Sequence, residues 1–182
     1  MSLNNVDSER VGQTVAGFQA NLDTARKTQR VEGVWNLAPG QPQFTARLAI
    51  SGGEYVLEAD QPPFLGGGGT RPGPVQYAVF GLAACYTATF VTLASGQGIV
   101  LEEVRTAAEF DLNFARVFGI ADLPTVEEVR VTVSVRSNAD EQTLSTLAQL
   151  AKERCPASYC LTNPIRLTPT VSRIATQTPP RG

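Results

Sequence analysis

Val11, Val15, Phe18 and Leu22 recur at intervals of four, three and four. That spacing lines apolar side chains along one helical face and predicts an amphipathic helix over residues 10–24. The period then changes to two. Phe44, Ala46, Leu48 and Ile50 alternate with Thr45, Arg47 and Ala49, the mark of a strand with one buried face. Gly52 and Gly53 separate this run from residues 55–59, so the two runs read as a hairpin. Residues 31–37 are a further strand, and so are residues 99–110. The clearest strand covers residues 126–136, where Val129, Val131, Val133 and Val135 oppose Arg130, Thr132, Ser134 and Arg136. Residues 165–174 form a last strand, which Pro169 confines to a sheet edge.

Two more helices stand out. Residues 72–101 carry no charged side chain, and a long helix is expected over residues 74–95, stopping near Gly96 and Gly98. It is apolar almost all round, which predicts burial on most sides. Gly81, Thr87, Thr89, Thr92 and several alanines dilute it too far for a membrane span to be preferred. A further helix is expected to start at Asn138, with Glu141 three residues on as in a capping box. Leu144, Leu147, Ala148 and Ala151 supply its stripe, and Cys155 ends it because a residue before proline resists the helical conformation. Residues 60–74 (DQPPFLGGGGTRPGP) read as a long, supple loop, and residues 111–125 as another. Helix, strands, long helix, strands, helix, strand is an α+β order.

Composition narrows the chemistry. The 182 residues suffice for one compact domain, at 42% hydrophobic and 18% charged content. A net charge of -2, with no basic run, argues against nucleic acid as a partner. The absence of histidine removes His-based triads, Cys-His dyads and imidazole zinc sites; three cysteines are too few for a Cys-only zinc site, so no metal is expected. Their odd number fits free thiols in a reducing compartment, and the polar start MSLNNVDSER is unlike a signal peptide, so a cytoplasmic location is expected. Gly66–Gly69 is not followed by the Lys-Ser/Thr pair of a phosphate loop. Glu102 and Glu103, like Glu127 and Glu128, are strand neighbours facing opposite ways, which gives paired-carboxylate hydrolysis little support.

The thiols remain. Cys155 and Cys160 bracket the segment CPASYC, and Cys85 lies on the long helix. Around Cys85 the same helical face carries Ala78, Gly81, Leu82, Ala88, Thr89 and Thr92. These mostly small residues let a second backbone or a bound molecule approach the sulfur. From the residues alone, three readings stand open: buried small hydrophobes, a structural clamp, or a redox couple.

The segment LEADQPPFLGGGGTRPGP leading into VQYAVFGLAACYTATF, together with LAQLAKERCPASYCL, resembles the OsmC/Ohr family of thiol-dependent peroxidases. The resemblance covers residues 44–171. It implies an OsmC-like fold in which two central helices are wrapped by β-sheets in an intertwined homodimer, with a site at each end of the interface. Residues 30–174 would form that domain, residues 1–29 a helical extension and residues 175–182 a loose tail. By the same resemblance Cys85 attacks an organic hydroperoxide, including fatty-acid hydroperoxides, and Cys155 resolves the resulting sulfenic acid. An external dithiol of the lipoyl type, free or on a lipoylated protein, restores both thiols. No bound cofactor, nucleic acid or membrane is implied.

A hairpin arginine should favour the thiolate. Arg47 is the expected one, with Arg30 and Arg71 as substitutes. The family commonly braces this arginine with an acid ten positions before the first cysteine, where this chain has Val75, next to the uncharged Gln76. That departure keeps open an alternative, a binding or scaffold protein of the same fold without efficient peroxidase activity. Cys160 is unusual for the family and is expected to be structural.

Overall fold

The computed structural model describes residues 2–173. A small hairpin, β1 (Ser2–Leu3) and β2 (Val6–Asp7), leads into α1 (Ser8–Ala20). The strands β3 (Gly33–Trp35), β4 (Phe44–Ile50) and β5 (Gly53–Ala59) follow and form an antiparallel sheet in that order. Next come α2 (Pro74–Gly96), β6 (Leu101–Phe110), the single turn α3 (Phe114–Val117) and β7 (Val129–Ser137). β6 and β7 pair antiparallel, with an irregularity between Leu101 and Glu103. The helices α4 (Glu141–Arg154) and α5 (Pro156–Thr162) complete the order.

The core lies where α2 crosses α4. Tyr86, Phe90 and Ala94 of α2 meet Leu147, Ala151 and Cys155, and the alternation of β7 adds Val131, Val133 and Val135 beneath them. Removing such apolar area from water drives the assembly at about 25 cal/mol per Å². Two polar bonds fix the register. The Tyr86 hydroxyl donates to the Ala148 carbonyl at 2.7 Å, and the Thr87 and Thr106 hydroxyls lie 2.6 Å apart, linking α2 to β6.

The expected burial of α2 on most sides is not met within one chain. Its buried residues are Leu82, Tyr86, Phe90, Ala94 and Ser95, whereas Phe80 is 69% exposed. α4, α5 and β6 reach only part of its surface, and the most apolar window of the helix is 28% buried. By length and composition alone it could cross a membrane. The apolar stripe of α1 is likewise uncovered: the helix has no buried residue, and Val15 is half exposed.

Two other expectations are corrected. α4 is capped by Asp140, whose carboxylate accepts from the Thr143 amide at 2.7 Å, and not by Asn138. β7 still runs to Ser137, whose hydroxyl accepts from the Ala139 amide, so the turn into the helix needs two more residues. Residues 165–173 form no strand. Leu167 and Val171 are almost fully exposed, no strand among the described residues pairs with them, and prolines 164 and 169 lack the amide donor a ladder needs. Ile174 and the expected loose tail at residues 175–182 lie outside the described residues. α5 was not anticipated, although Pro156 sits at its first position, where a missing amide is harmless.

The first hairpin is tied to the far end of α2 by Asn4 and by the Ser95 hydroxyl, which donates to the Leu3 carbonyl at 3.1 Å. Asn4 and Asn5 form its two-residue turn with φ of 53° and 62°, a conformation asparagine tolerates better than most residues. The Asn4 amide donates to the Ser95 hydroxyl at 3.1 Å and the Ile99 carbonyl at 2.8 Å, and its oxygen accepts from the Leu101 amide at 2.9 Å. Asn4→Ala would strip partners from two backbone groups where β6 begins. A loss of about 1–3 kcal/mol is expected, read as a lower urea midpoint at unchanged slope.

The loop before α2 is ordered rather than supple. Asp60, 2% exposed, accepts from the amides of Gly68 and Thr70 and from the Thr70 hydroxyl. Gly67 passes so close to Gln61 that a Cβ would stand 1.9 Å from its carbonyl oxygen, so only glycine fits. The Thr70 amide, then its hydroxyl, hold the Asp60 carboxyl below its ordinary pKa against the opposing effect of burial. A depressed carboxyl contributes stability above its unfolded pKa and loses it as pH falls through the folded value. Thermal scans should therefore show a steep loss below about pH 4 in the natural chain. Asp60→Asn should start from a lower midpoint at neutral pH and lose less on acidification.

Candidate active site

Cys85 sits in the middle of α2, on the side that meets the junction of α4 and α5. Cys155 is that junction. Its backbone ends α4, with its amide bonded to the Ala151 carbonyl at 2.9 Å, and its side chain opens α5. Pro156 forces this break, and the Cys155 sulfur then accepts from the Ser158 amide at 3.5 Å. Cys85 packs against the core cluster that contains Cys155, so two free thiols 70 residues apart in the chain are brought to one junction. The Ala157 amide and the Ser158 amide and hydroxyl lie close enough to influence their ionisation. Cys160, also free, is exposed on α5.

The two sulfurs differ in environment. Burial pushes the Cys85 thiol up, and the neighbouring Cys155 adds to this; the Ala157 amide opposes it. At Cys155 burial works the same way but is outweighed by the Ser158 amide and hydroxyl, the Cys85 thiol and the Ala157 amide, so its pKa falls. Of the two thiols, Cys155 is therefore the more readily ionised. Exposure runs the other way: Cys155 is fully enclosed, whereas Cys85 is partly open. Tyr86, beside them, is raised by burial and by the Cys155 charge.

No arginine expected from the sequence is hydrogen-bonded to either thiol within the chain. Arg47, on β4, pairs with Glu54 across the hairpin at 2.5 Å, and both are largely exposed. Arg30 pairs with Glu32 at 2.5 Å and Arg71 with Glu58 at 2.6 Å. Gln76, the uncharged neighbour of Val75, is committed elsewhere, accepting from the Gly73 amide at 2.7 Å at the start of α2. A cavity of about 400 Å³ opens between α2, β7, α4 and α5, lined by neither cysteine. Leu82, Tyr86, Val131 and Leu161 give it an apolar wall, with Ser158 and Lys152 at its polar positions.

Ser158 was missed from the sequence, yet its signal was present. A capping residue followed by proline, with a hydroxyl residue three positions on, is how a helix start satisfies its free amides.

The family model described as OsmC-like protein matches residues 66–170, which is more than half of the chain. Among solved structures, an OsmC-like protein from Mycoplasma pneumoniae superposes with a TM-score of 0.55 at 20% identity, covering 74% of this chain and 87% of that one. An organic hydroperoxide resistance protein OsmC from Legionella pneumophila gives 0.52 at 21% identity, covering 75% and 92%. At these identities the likeness establishes the fold alone. No curated protein matches the sequence.

Proposed function

Because this chain belongs to the OsmC-like family, we propose that it is a thiol-dependent peroxidase that reduces organic hydroperoxides, including those of fatty acids, through Cys85 and Cys155. The observation that carries this reading is the meeting of two free thiols at one helix junction, one partly open and one enclosed. Exposure selects Cys85 as the attacking sulfur. Loss of its proton to solvent leaves a Cys85 thiolate. That thiolate takes the terminal oxygen of the hydroperoxide; the O–O bond breaks and the alkoxide leaves as an alcohol. Cys155 then attacks the Cys85 sulfenic sulfur, forming a disulfide and releasing water. An external dithiol, of the lipoyl kind, returns both to thiols.

A cation beside Cys85 would favour its thiolate. We assign this role to a guanidinium delivered in a homodimer, with Arg47 first and Arg30 and Arg71 as alternatives. What supports a second copy is uncovered apolar surface: Phe80 on α2, and Trp35, Ile50 and Tyr55 on the β3–β5 sheet, are each more than half exposed. Such faces are costly in water and typical of intersubunit contacts.

The decisive assay mixes the pure protein with cumene hydroperoxide and dihydrolipoamide and follows peroxide loss. Turnover with transient disulfide is expected; no turnover, with Cys85 still a thiol, removes the peroxidase reading. Val75 and the engagement of Gln76 at Gly73 favour the second reading, a binding or scaffold protein of this fold. In that case Cys85 would alkylate no faster than a model thiol.

A further inference from the structure

The cavity between α2, β7, α4 and α5 has hydrocarbon walls from Leu82, Tyr86, Val131 and Leu161. Its volume of about 400 Å³ lies in the range of small-molecule sites, which are mostly apolar with a few placed polar groups. The Tyr86 hydroxyl is already spent on the Ala148 carbonyl, so this ring offers the cavity hydrocarbon only. One charged side chain lines the space, Lys152 of α4, which is exposed at its rim. No carboxylate lines it, and among the described residues Lys152 makes no ion pair. The strand cations are placed otherwise. Arg105 and Arg136 share Glu103, and Arg130 is held by Glu109, Asp111 and Glu128. The acid next to Lys152 in the chain, Glu153, accepts from the Gln149 side chain at 3.1 Å. Apolar walls with one unanswered ammonium at the rim suit a ligand with a hydrocarbon body and a single negative end.

We propose that this cavity binds a medium-chain aliphatic carboxylate, its chain against Leu82, Val131 and Leu161 and its head on the Lys152 ammonium. Burial of the chain supplies most of the affinity, and the exposed ammonium supplies the choice of head group. Neither cysteine lines the cavity, so the site is separate from the sulfurs that would meet a peroxide. It is one residue away from them: Ser158 lines it, and the Ser158 amide donates to the Cys155 sulfur at 3.5 Å. Burial and charge alone hold the ligand, so the proposal does not depend on the thiols turning over peroxide.

The test titrates decanoate, below the concentration at which it forms micelles, into the full chain and follows backbone amides by NMR. Saturable shifts are expected at Ser158, Leu161 and Thr162, which line the cavity. Lys152→Gln should weaken binding about tenfold, the size of one charge-assisted bond at a wet rim. Decanol should bind the natural chain as weakly as decanoate binds K152Q. Ser145→Trp, at an exposed position lining the cavity, should abolish binding, with circular dichroism as the control for folding. Alkylation of Cys85 by iodoacetamide should run equally fast with and without saturating decanoate. Shifts confined to the uncovered face around Phe80, equal affinities for K152Q and the natural chain, or protection of Cys85 by decanoate would each overturn the proposal.

Discussion

Peroxide turnover falls at least about a thousandfold when Cys85 is replaced by serine, because a hydroxyl at neutral pH offers no counterpart to the thiolate nucleophile. The substitution is small, and position 85 is only partly buried, so the fold should persist. Initial rates of cumene hydroperoxide loss, with circular dichroism as the control for folding, check this. A residual rate within tenfold of the natural chain would mean that another sulfur does the attacking. Cys155, with its lowered pKa, would then be the one to examine.

The second large effect concerns what happens after the first oxidation. In the double variant C155S/C160S, Cys85 has no thiol within reach, so peroxide consumption should stop after about one equivalent per chain. Excess peroxide should then carry the sulfenic acid on to sulfinic acid, a gain of two oxygens on the Cys85 peptide in mass spectra. Serine at position 155 can still accept from the Ser158 amide, as a good capping residue does, so α5 should remain formed. Continued turnover in the double variant would show that the external dithiol reaches the Cys85 sulfenic acid unaided.

How much of this could be read from the residues depended on the range of the forces involved. The bounds of α2 were legible to within one residue, since Pro74 and Gly96 punctuate a run without charges. β7 was legible because its valines alternate without a break. The convergence of Cys85 and Cys155 came from the resemblance, since nothing in the spacing of two cysteines 70 residues apart says that they meet. The Asn4 clamp was not legible either: it joins groups more than 90 residues apart through an amide that looks like any turn residue. Asp60 was hidden in a stretch whose glycines suggested looseness, whereas its carboxylate gathers the loop. The faces of α1, α2 and residues 165–173 were misread for one reason. Periodicity shows which positions are apolar but not what covers them, and among the described residues nothing does.

Cys155 closes one helix and opens the next, with its sulfur serving as the cap of α5. Joining that atom to a second sulfur therefore disturbs the acceptor that holds the first turn of α5. Electron flow through the site should be felt as a mechanical event at a helix end. The Ser158 amide would be its local reporter, exchanging its hydrogen with solvent faster in the disulfide form than in the dithiol form.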